Sequence, residues 1–404
     1  MKIVVISRYP QQAQKPRGGV EAVTVTLANA IAELGGDSVQ VVTLERDQSV
    51  LGDSDVSGIQ VRRLLRSNWP FVLDLNVGPS RRRLVDALKE LEPTVVHFHE
   101  TWGLGCIPTN CAQVFTVHGF DSANIPAGDG KFPWMRSKIW KMAETRGFAR
   151  TKHIISISPY VTKQIRPYTQ ADIHEIDNPV DPGFFSVERN EEAGRVLCVG
   201  WISPRKNTLG SVRAFAKAFH AGKAKKLVVA GSAPDKGYLA TVQAEIAKEG
   251  LGAAVEFPGQ LDRQQLKAEL SRASVSLLPS LQENAPMAVA ESMAAGVPVI
   301  TSNRCGMPYM VEHGKSGFLI EPADEPQIAE RLTLLLDNAE LRRSMGARSK
   351  EIARERFHPT EVARKTMRVY EAIIEQHYQA RNGVVMQEAK AELPRQDMTQ
   401  NQIR

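Results

Sequence analysis

Two carboxylates bracket one apolar run: Glu283 and Glu291 stand eight positions apart in ENAPMAVAE. Pro286 suits the first position of a helix, Asn284 or Ala285 suits its cap, and Gly296 suits the residue just past its end. Glu283 then lies in the loop that feeds the helix, and Glu291 about 7.5 Å further along it at 1.5 Å per residue. Two acids so spaced cannot share one metal ion, but one extended ligand could touch both. The plainer reading makes them solvated punctuation around a buried helix, so the rest of the chain has to decide.

Other segments carry residues of the same kind. Arg205 and Lys206 are adjacent in VGWISPRKN, and paired cations before a helix suit a pyrophosphate whose departure needs its charge neutralised. His118 and Gly119 follow an apolar strand in QVFTVHG. Gly18 and Gly19 stand at a helix start, where a bare backbone can approach a phosphate; the spacing is not GxGxxG, so no dinucleotide fingerprint is present. Each has a bland counterpart: surface charge, a structural histidine, a turn. Asp53-Ser54-Asp55 has the DxD form of a metal motif, but it lies in a polar stretch without partner acids and reads as a turn. No metal and no cofactor is expected.

Strands must carry these loops. KIVVIS, VQVVTL, IQVRRL, TVVHFH, QVFTVH and HIISIS are short β-branched runs, alternating with segments of helical period such as residues 20–34, 80–91 and 134–149. The pattern restarts at RVLCVG (195–200) and alternates again through KLVVAG, VSLLPS and VPVIT. Strand–helix–strand alternation predicts parallel sheets covered on both faces. The fold class is therefore α/β, with two Rossmann-like domains in tandem, residues 1–182 and 183–356, joined where two prolines and a glycine cluster in residues 178–185. Ligands of such sheets bind outside the carboxyl ends of the strands, where all four segments fall. Residues 357–379 read as a long amphipathic helix, and 380–404 as a polar, disordered tail.

Composition narrows the class. At 404 residues, with 42% apolar and 24% charged, the chain is an ordinary soluble protein too long for one core. No run approaches a spanning helix, and the N-terminus reads as a strand rather than a signal peptide. The four cysteines, Cys106, Cys111, Cys198 and Cys305, lack CxxC spacing and fit a reducing, cytoplasmic setting. The net charge of +6 is uneven: residues 131–152 hold seven Lys/Arg against Glu144, interleaved with Trp134 and Trp140. That segment is either a solvated helix face or a surface for anionic lipid or an acidic acceptor. No recognition motif accompanies the charge, so nucleic acid is not expected.

LPSLQENAPMAVAESMAAGVPVIT resembles the E-x7-E segment of retaining glycosyltransferases of family 4, which have the GT-B fold. GGVE, VVHFHE, TVHG, IISISPYV, IDNPVD, VGWISPRKN and CGMPYMVEHGKSGFLIEP extend the likeness in order along most of the chain. The resemblance implies that Glu291 accepts hydrogen bonds from a ribose and that Glu283 contacts the transferred sugar. Lys206, with Arg205, would neutralise the departing diphosphate. His118 would sit beside the donor sugar, Gly18 and Gly19 would offer backbone to phosphate or acceptor, and Asn284, Ala285 and Met287 would line the donor site. The C-terminal helix would cross back to the first domain.

Three positions depart from the family pattern. Trp201 stands where an arginine is usual, with Arg205 as the substitute charge; Pro286 stands where a glycine donates an N–H; and Asn178-Pro179 replaces Asn-Gly. The expected activity is transfer of a hexosyl group from a UDP- or GDP-sugar to a hydroxyl of a glycan or lipid-linked glycan, with retention, in surface polysaccharide synthesis. The basic, Trp-bearing segment admits a peripheral contact with anionic membrane on its cytoplasmic face. The alternatives are a nucleotide-sugar epimerase of the same architecture and a non-catalytic nucleotide-sugar-binding protein.

Overall fold

A computed structural model of the chain describes residues 1–35, 37–105, 107–124 and 132–391. Cys106, Lys131 and residues 392–404 of the expected tail lie outside the described residues. The first sheet contains β1 (Lys2–Ile6), β2 (Ser38–Glu45), β3 (Gly52–Val56), β4 (Ile59–Leu65), β5 (Val95–Phe98), β6 (Ala112–Val117), β7 (His153–Ser156) and β8 (Asp172–Glu175). The second contains β9 (Arg195–Val199), β10 (Lys226–Ala230), β11 (Val255–Gly259), β12 (Val275–Leu278), β13 (Val299–Ser302) and β14 (Gly317–Ile320).

Strand order is β3-β4-β2-β1-β5-β6-β7-β8 in the first sheet and β11-β10-β9-β12-β13-β14 in the second. Every pairing is parallel except β3 with β4. The α/β class and the paired Rossmann-like sheets are as the sequence predicts. In each sheet the order reverses beside the first strand, between β1 and β5 and between β9 and β12. A crevice opens at such a reversal because the flanking loops leave toward opposite faces.

Burial explains the strand pattern. Ile3, Val4, Val5 and Ile6 are at most 1% exposed, as expected of a strand covered on both faces. The helix Gly19–Leu34 covers one face of this sheet through Val25, Leu27, Ala28 and Ile31. The long helix Pro359–Ala391 lies in the same core through Val362, Ala363, Val369, Tyr370 and Ile373. The chain thus crosses back after the second sheet to finish the core of the first.

Two expectations are corrected here. Asp53-Ser54-Asp55 is not a turn but part of β3, an antiparallel edge strand. Asp53 pairs with Arg62 at 2.9 Å, and Asp55 accepts from Gly58 N and Gln60 Nε2, both at 2.9 Å. The acids are consumed by hairpin contacts. The C-terminal helix also continues past residue 380 to Ala391, so the polar composition there belongs to helix rather than disorder.

Candidate functional site

The loops at the two reversals face one another across a cleft of about 400 Å3. From the first half come Gly18, Gly19 and His118; from the second come Arg205, Lys206, Glu283, Ala285, Met287 and Glu291. Asn284 is not in this wall. It lies in an adjoining chamber, with its Nδ2 donating to His118 O at 3.0 Å.

Gly18 caps the helix Gly19–Leu34 in an extended conformation with no side-chain hydrogen bond. A Cβ on Gly19 would lie 3.4 Å from Met287 Cγ, so the bare backbone of one half faces a side chain of the other. On the opposite wall β9 runs into Gly200, at φ 146, a conformation that glycine adopts without strain. A Cβ there would sit 3.0 Å from Lys206 Cε, and one on Gly231 would sit 2.0 Å from Gly200 O. Gly231 is therefore dictated by close backbone approach, and Gly200 by its positive φ, in the loops that place Lys206. Ser203 caps the 3-10 turn Pro204–Lys206 by accepting from Lys206 N.

Both cations of that turn converge on one acid. Arg205 Nη1 lies 2.8 Å and Lys206 Nζ 2.7 Å from Glu283 Oε1, and Arg205 Nη1 also donates to Gln282 O at 3.0 Å. The substitute charge foreseen in Arg205 is thus paired with Glu283. Trp201, at the position of the usual arginine, is 56% exposed on the cleft wall.

The helix that follows runs Met287–Ala294, with Pro286 as its N-cap and no side-chain cap hydrogen bond. This corrects the expected start, in which Pro286 was the first helical residue. Asn284 stands two residues before the cap; its Nδ2 donates to His118 O and its backbone carbonyl accepts from Ser158 Oγ at 3.0 Å. Gly296, at φ 71, ends the helix as expected. Glu291 projects from the helix into the cleft, and its carboxylate has no hydrogen-bonding partner among the described residues. Burial pushes its carboxyl up to about 7, against the pull of Arg263 and with a smaller push from Asp181.

His118, half-buried at the cleft, is the outer end of a histidine row whose other members, His99 and His97, are buried. His118 Nε2 and His99 Nδ1 share a hydrogen bond of 3.0 Å, and the His97 ring lies 4.0 Å from that of His99. His97 in turn bonds Tyr370 OH at 2.7 Å and Thr116 Oγ1 at 2.6 Å. Burial pushes His118 down to about 4 and His97 to about 3, so the row is neutral near pH 7 and His118 can offer a hydrogen bond without charge.

Arg263 is the residue that sequence reasoning missed. It starts the helix Arg263–Arg272, is buried, and reaches across to donate to Ala22 O and Thr26 Oγ1, both at 3.2 Å, while pairing with Asp181 at 2.9 Å. The available signal was Asp262-x-x-Gln265, a capping box, which puts Arg263 at a helix start beside a strand's carboxyl end.

Comparison with known proteins follows the same division. Residues 17–184 match the model described as Glycosyltransferase Family 4, and residues 181–352 the model described as Glycosyl transferases group 1. An uncharacterized glycosyltransferase of Methanocaldococcus jannaschii is 27% identical over 93% of this chain and 99% of its own. Spore coat protein SA of Bacillus subtilis is 44% identical over 20% of this chain and 22% of its own. N-acetyl-alpha-D-glucosaminyl L-malate synthase of Bacillus anthracis is 31% identical over 39% and 40%. The chain thus spans less than half the length of these more identical relatives. Among solved structures, sucrose-phosphate synthase from Thermosynechococcus elongatus superposes with a TM-score of 0.78 at 21% identity, covering 93% of this chain and 99% of that one. Anabaena HepE in complex with UDP-glucose gives 0.68 at 15% identity, covering 92% and 100%. At these identities the likeness is one of fold.

Proposed function

The chain belongs to glycosyltransferase family 4, and we propose that it moves a hexosyl group from a UDP- or GDP-sugar to a hydroxyl of a glycan or lipid-linked glycan, retaining anomeric configuration. Surface polysaccharide assembly is the setting this reading favours. One observation carries it: a single cleft brings together an unpaired carboxylate on one helix, two cations sharing a second carboxylate, and the glycine-bearing start of a helix from the other half.

In this reading Glu291 accepts from the ribose hydroxyls, and Lys206 exchanges Glu283 for the diphosphate. Glu283 then turns to the transferred sugar, and neutral His118 bonds one of its hydroxyls. The acceptor oxygen bonds the anomeric carbon as the carbon–oxygen bond to the diphosphate breaks. The acceptor proton goes to the leaving phosphate on the same face, with Lys206 holding the charge that develops. That a solved protein of the same fold takes UDP-glucose supports the donor class.

Incubating the protein with UDP- and GDP-sugars and following released nucleotide tests the proposal. Slow donor hydrolysis without acceptor is expected. Isomerised nucleotide sugar would point to an epimerase, and binding without turnover to a non-catalytic protein.

The same reading gives the first half a membrane contact. Trp134, Met135, Ile139 and Met142 are exposed on the helix Pro133–Arg150, beside the exposed Lys138, Lys141 and Arg146. Trp69, Leu73 and Val77 are also exposed, on and beside the helix Phe71–Val77. Exposed aromatic and aliphatic side chains among cations suit an anionic bilayer surface. Among the described residues no helix is long and apolar enough to cross one. Reversing Lys138, Lys141 and Arg146 to glutamate is expected to abolish sedimentation with phosphatidylglycerol vesicles; unchanged sedimentation removes this part of the proposal.

A further inference from the structure

The loop between β12 and the helix Met287–Ala294 is held from both halves of the molecule. On its own side, Leu281 N donates to Arg205 O at 2.8 Å, Arg205 Nη1 to Gln282 O at 3.0 Å, and Gly306 N to Glu283 O at 2.8 Å. The next residue faces the other way. Asn284 Nδ2 donates to His118 O and the Asn284 backbone carbonyl accepts from Ser158 Oγ, both at 3.0 Å, and His118 and Ser158 belong to the first half. A Cβ on Gly119 would lie 3.3 Å from Asn284 Nδ2, so the backbone after β6 lies against the amide.

The orientation of that amide is fixed by chemistry. A backbone carbonyl only accepts, so the nitrogen end of Asn284 faces His118 O. Its Oδ1 is left buried and without a partner among the described residues. The serine hydroxyl is equally constrained. Ser158 caps the helix Pro159–Ile165 by accepting from Val161 N at 3.3 Å, so its lone pair serves its own helix and its one proton goes to Asn284 O. Tyr160 of the same helix shares a side-chain hydrogen bond with Cys305, the residue before Gly306. One short helix of the first half thus meets both loops that shape the Glu283 turn.

These contacts join two groups that the reaction needs on either side of the transferred sugar. Glu283 precedes Asn284 in the chain, and His118 is the residue whose carbonyl Asn284 holds. Arg205 and Lys206 fix the Glu283 carboxylate within the second half. Its place relative to His118 is set by the bonds of Asn284, which cross from one half to the other.

We propose that Asn284 is a positioning residue that couples the meeting of the two halves to the placement of Glu283 opposite His118. Parting the halves breaks both of its bonds together and frees the turn; bringing them together assembles the pair around the sugar. The amide N–H and the backbone carbonyl carry this role, without contact to the ligand. It deepens the glycosyltransferase reading and rests on it.

Nucleotide release from UDP- and GDP-sugars, beside calorimetric titration of free UDP and GDP, tests it. Asn284→Asp keeps the shape and an accepting oxygen, but it cannot donate and sets a carboxylate against His118 O. It is expected to lower kcat about a hundredfold, the cost of about 1 Å of misplacement in a preorganised site. KM and nucleotide affinity should stay native, because Glu291 and Lys206 are untouched. Ser158→Ala should lower kcat about tenfold, the size of one hydrogen bond, and Ser158→Thr, which keeps the hydroxyl, should restore it. The double variant should lose no more than Asn284→Asp alone, since the two bonds form one latch. Should Asn284→Asp fail to fold, as judged by thermal melting, the Ser158 variants decide. A native kcat in the folded variants, or a loss confined to KM, overturns the proposal and leaves the glycosyltransferase reading standing. A native protein that releases nucleotide from no donor sinks that reading, and the positioning role with it, before any variant is made.

Discussion

Glu291 is an acid that folding has left without an internal partner, and its consequences are measurable. Its carboxyl titrates at about 7 in the folded chain, against 4.5 in the open one, because burial penalises the charge. Protonated, it loses half of its capacity to accept from a ribose diol. Donor affinity is therefore expected to rise from pH 6 to pH 8 in the native protein and to stay flat in Glu291→Gln. Glu291→Ala should raise the donor KM about tenfold to a hundredfold, the range for hydrogen bonds to a charged group. The stability effect has the opposite sign. The folded state holds the proton more tightly, so this group's contribution is full below about 4.5 and is lost as pH rises through about 7. Melting of the native protein should thus gain on Glu291→Gln as pH falls from 8 to 5. That Glu291 and Lys206 would face the cleft was legible in the sequence, because Glu291 falls on the helix after one strand and Lys206 in the PRK turn after another. Arg263 was not: an arginine at a helix start means little until Ala22 and Thr26 from the other half are placed against it.

The loop–helix unit after β12 shows how elements hold such groups still. Gly306 N donates to Glu283 O at 2.8 Å, and a Cβ on Gly306 would lie 1.6 Å from Asn284 O. No side chain fits there unless the loop that carries Glu283 moves. Gly306→Ala is expected to retain helix content by circular dichroism yet lower kcat by about a hundredfold, as misplacement of about 1 Å does in a preorganised site. An unchanged kcat would mean that the loop adjusts on binding anyway. The crossing helix makes a comparable demand: Tyr370→Phe leaves a buried His97 nitrogen unpaired, for a loss of about 1–3 kcal/mol in urea denaturation. Runs such as KIVVIS and KLVVAG announced themselves as strands through apolar continuity. GDSDV did not, since only Val56 of β3 is buried and its pairing with β4 supplies what its composition lacks. Residues 380–391 failed the same test: helix continues there without a sustained apolar stripe in the sequence to predict it.

At the scale of the whole molecule, two chain crossings and a few contacts over the cleft govern how the halves meet. At the crossings, Arg356 holds Asp177 with two hydrogen bonds of 2.6 and 3.0 Å, and Val180 N donates to Phe357 O at 2.9 Å. Over the cleft, Lys163 meets Tyr309 OH at 2.8 Å on the exposed rim, where such a contact adds little. Arg263 differs because it is buried and bonds Asp181, Ala22 and Thr26 together. Tandem domains were readable from the restart of the strand pattern, but the clamp between them was not, since it joins residues 241 positions apart. Arg263→Ala should let the nucleotide-free halves swing apart, seen as a larger radius of gyration in small-angle scattering. It should also remove the charge that pulls the Glu291 carboxyl down. The pH at which donor affinity reaches half its maximum then moves above its native position, and Arg263→Lys moves it back. A purely local packing role for Arg263 predicts neither change, so an unaltered radius together with an unmoved pH midpoint would show that closure over the donor is governed elsewhere.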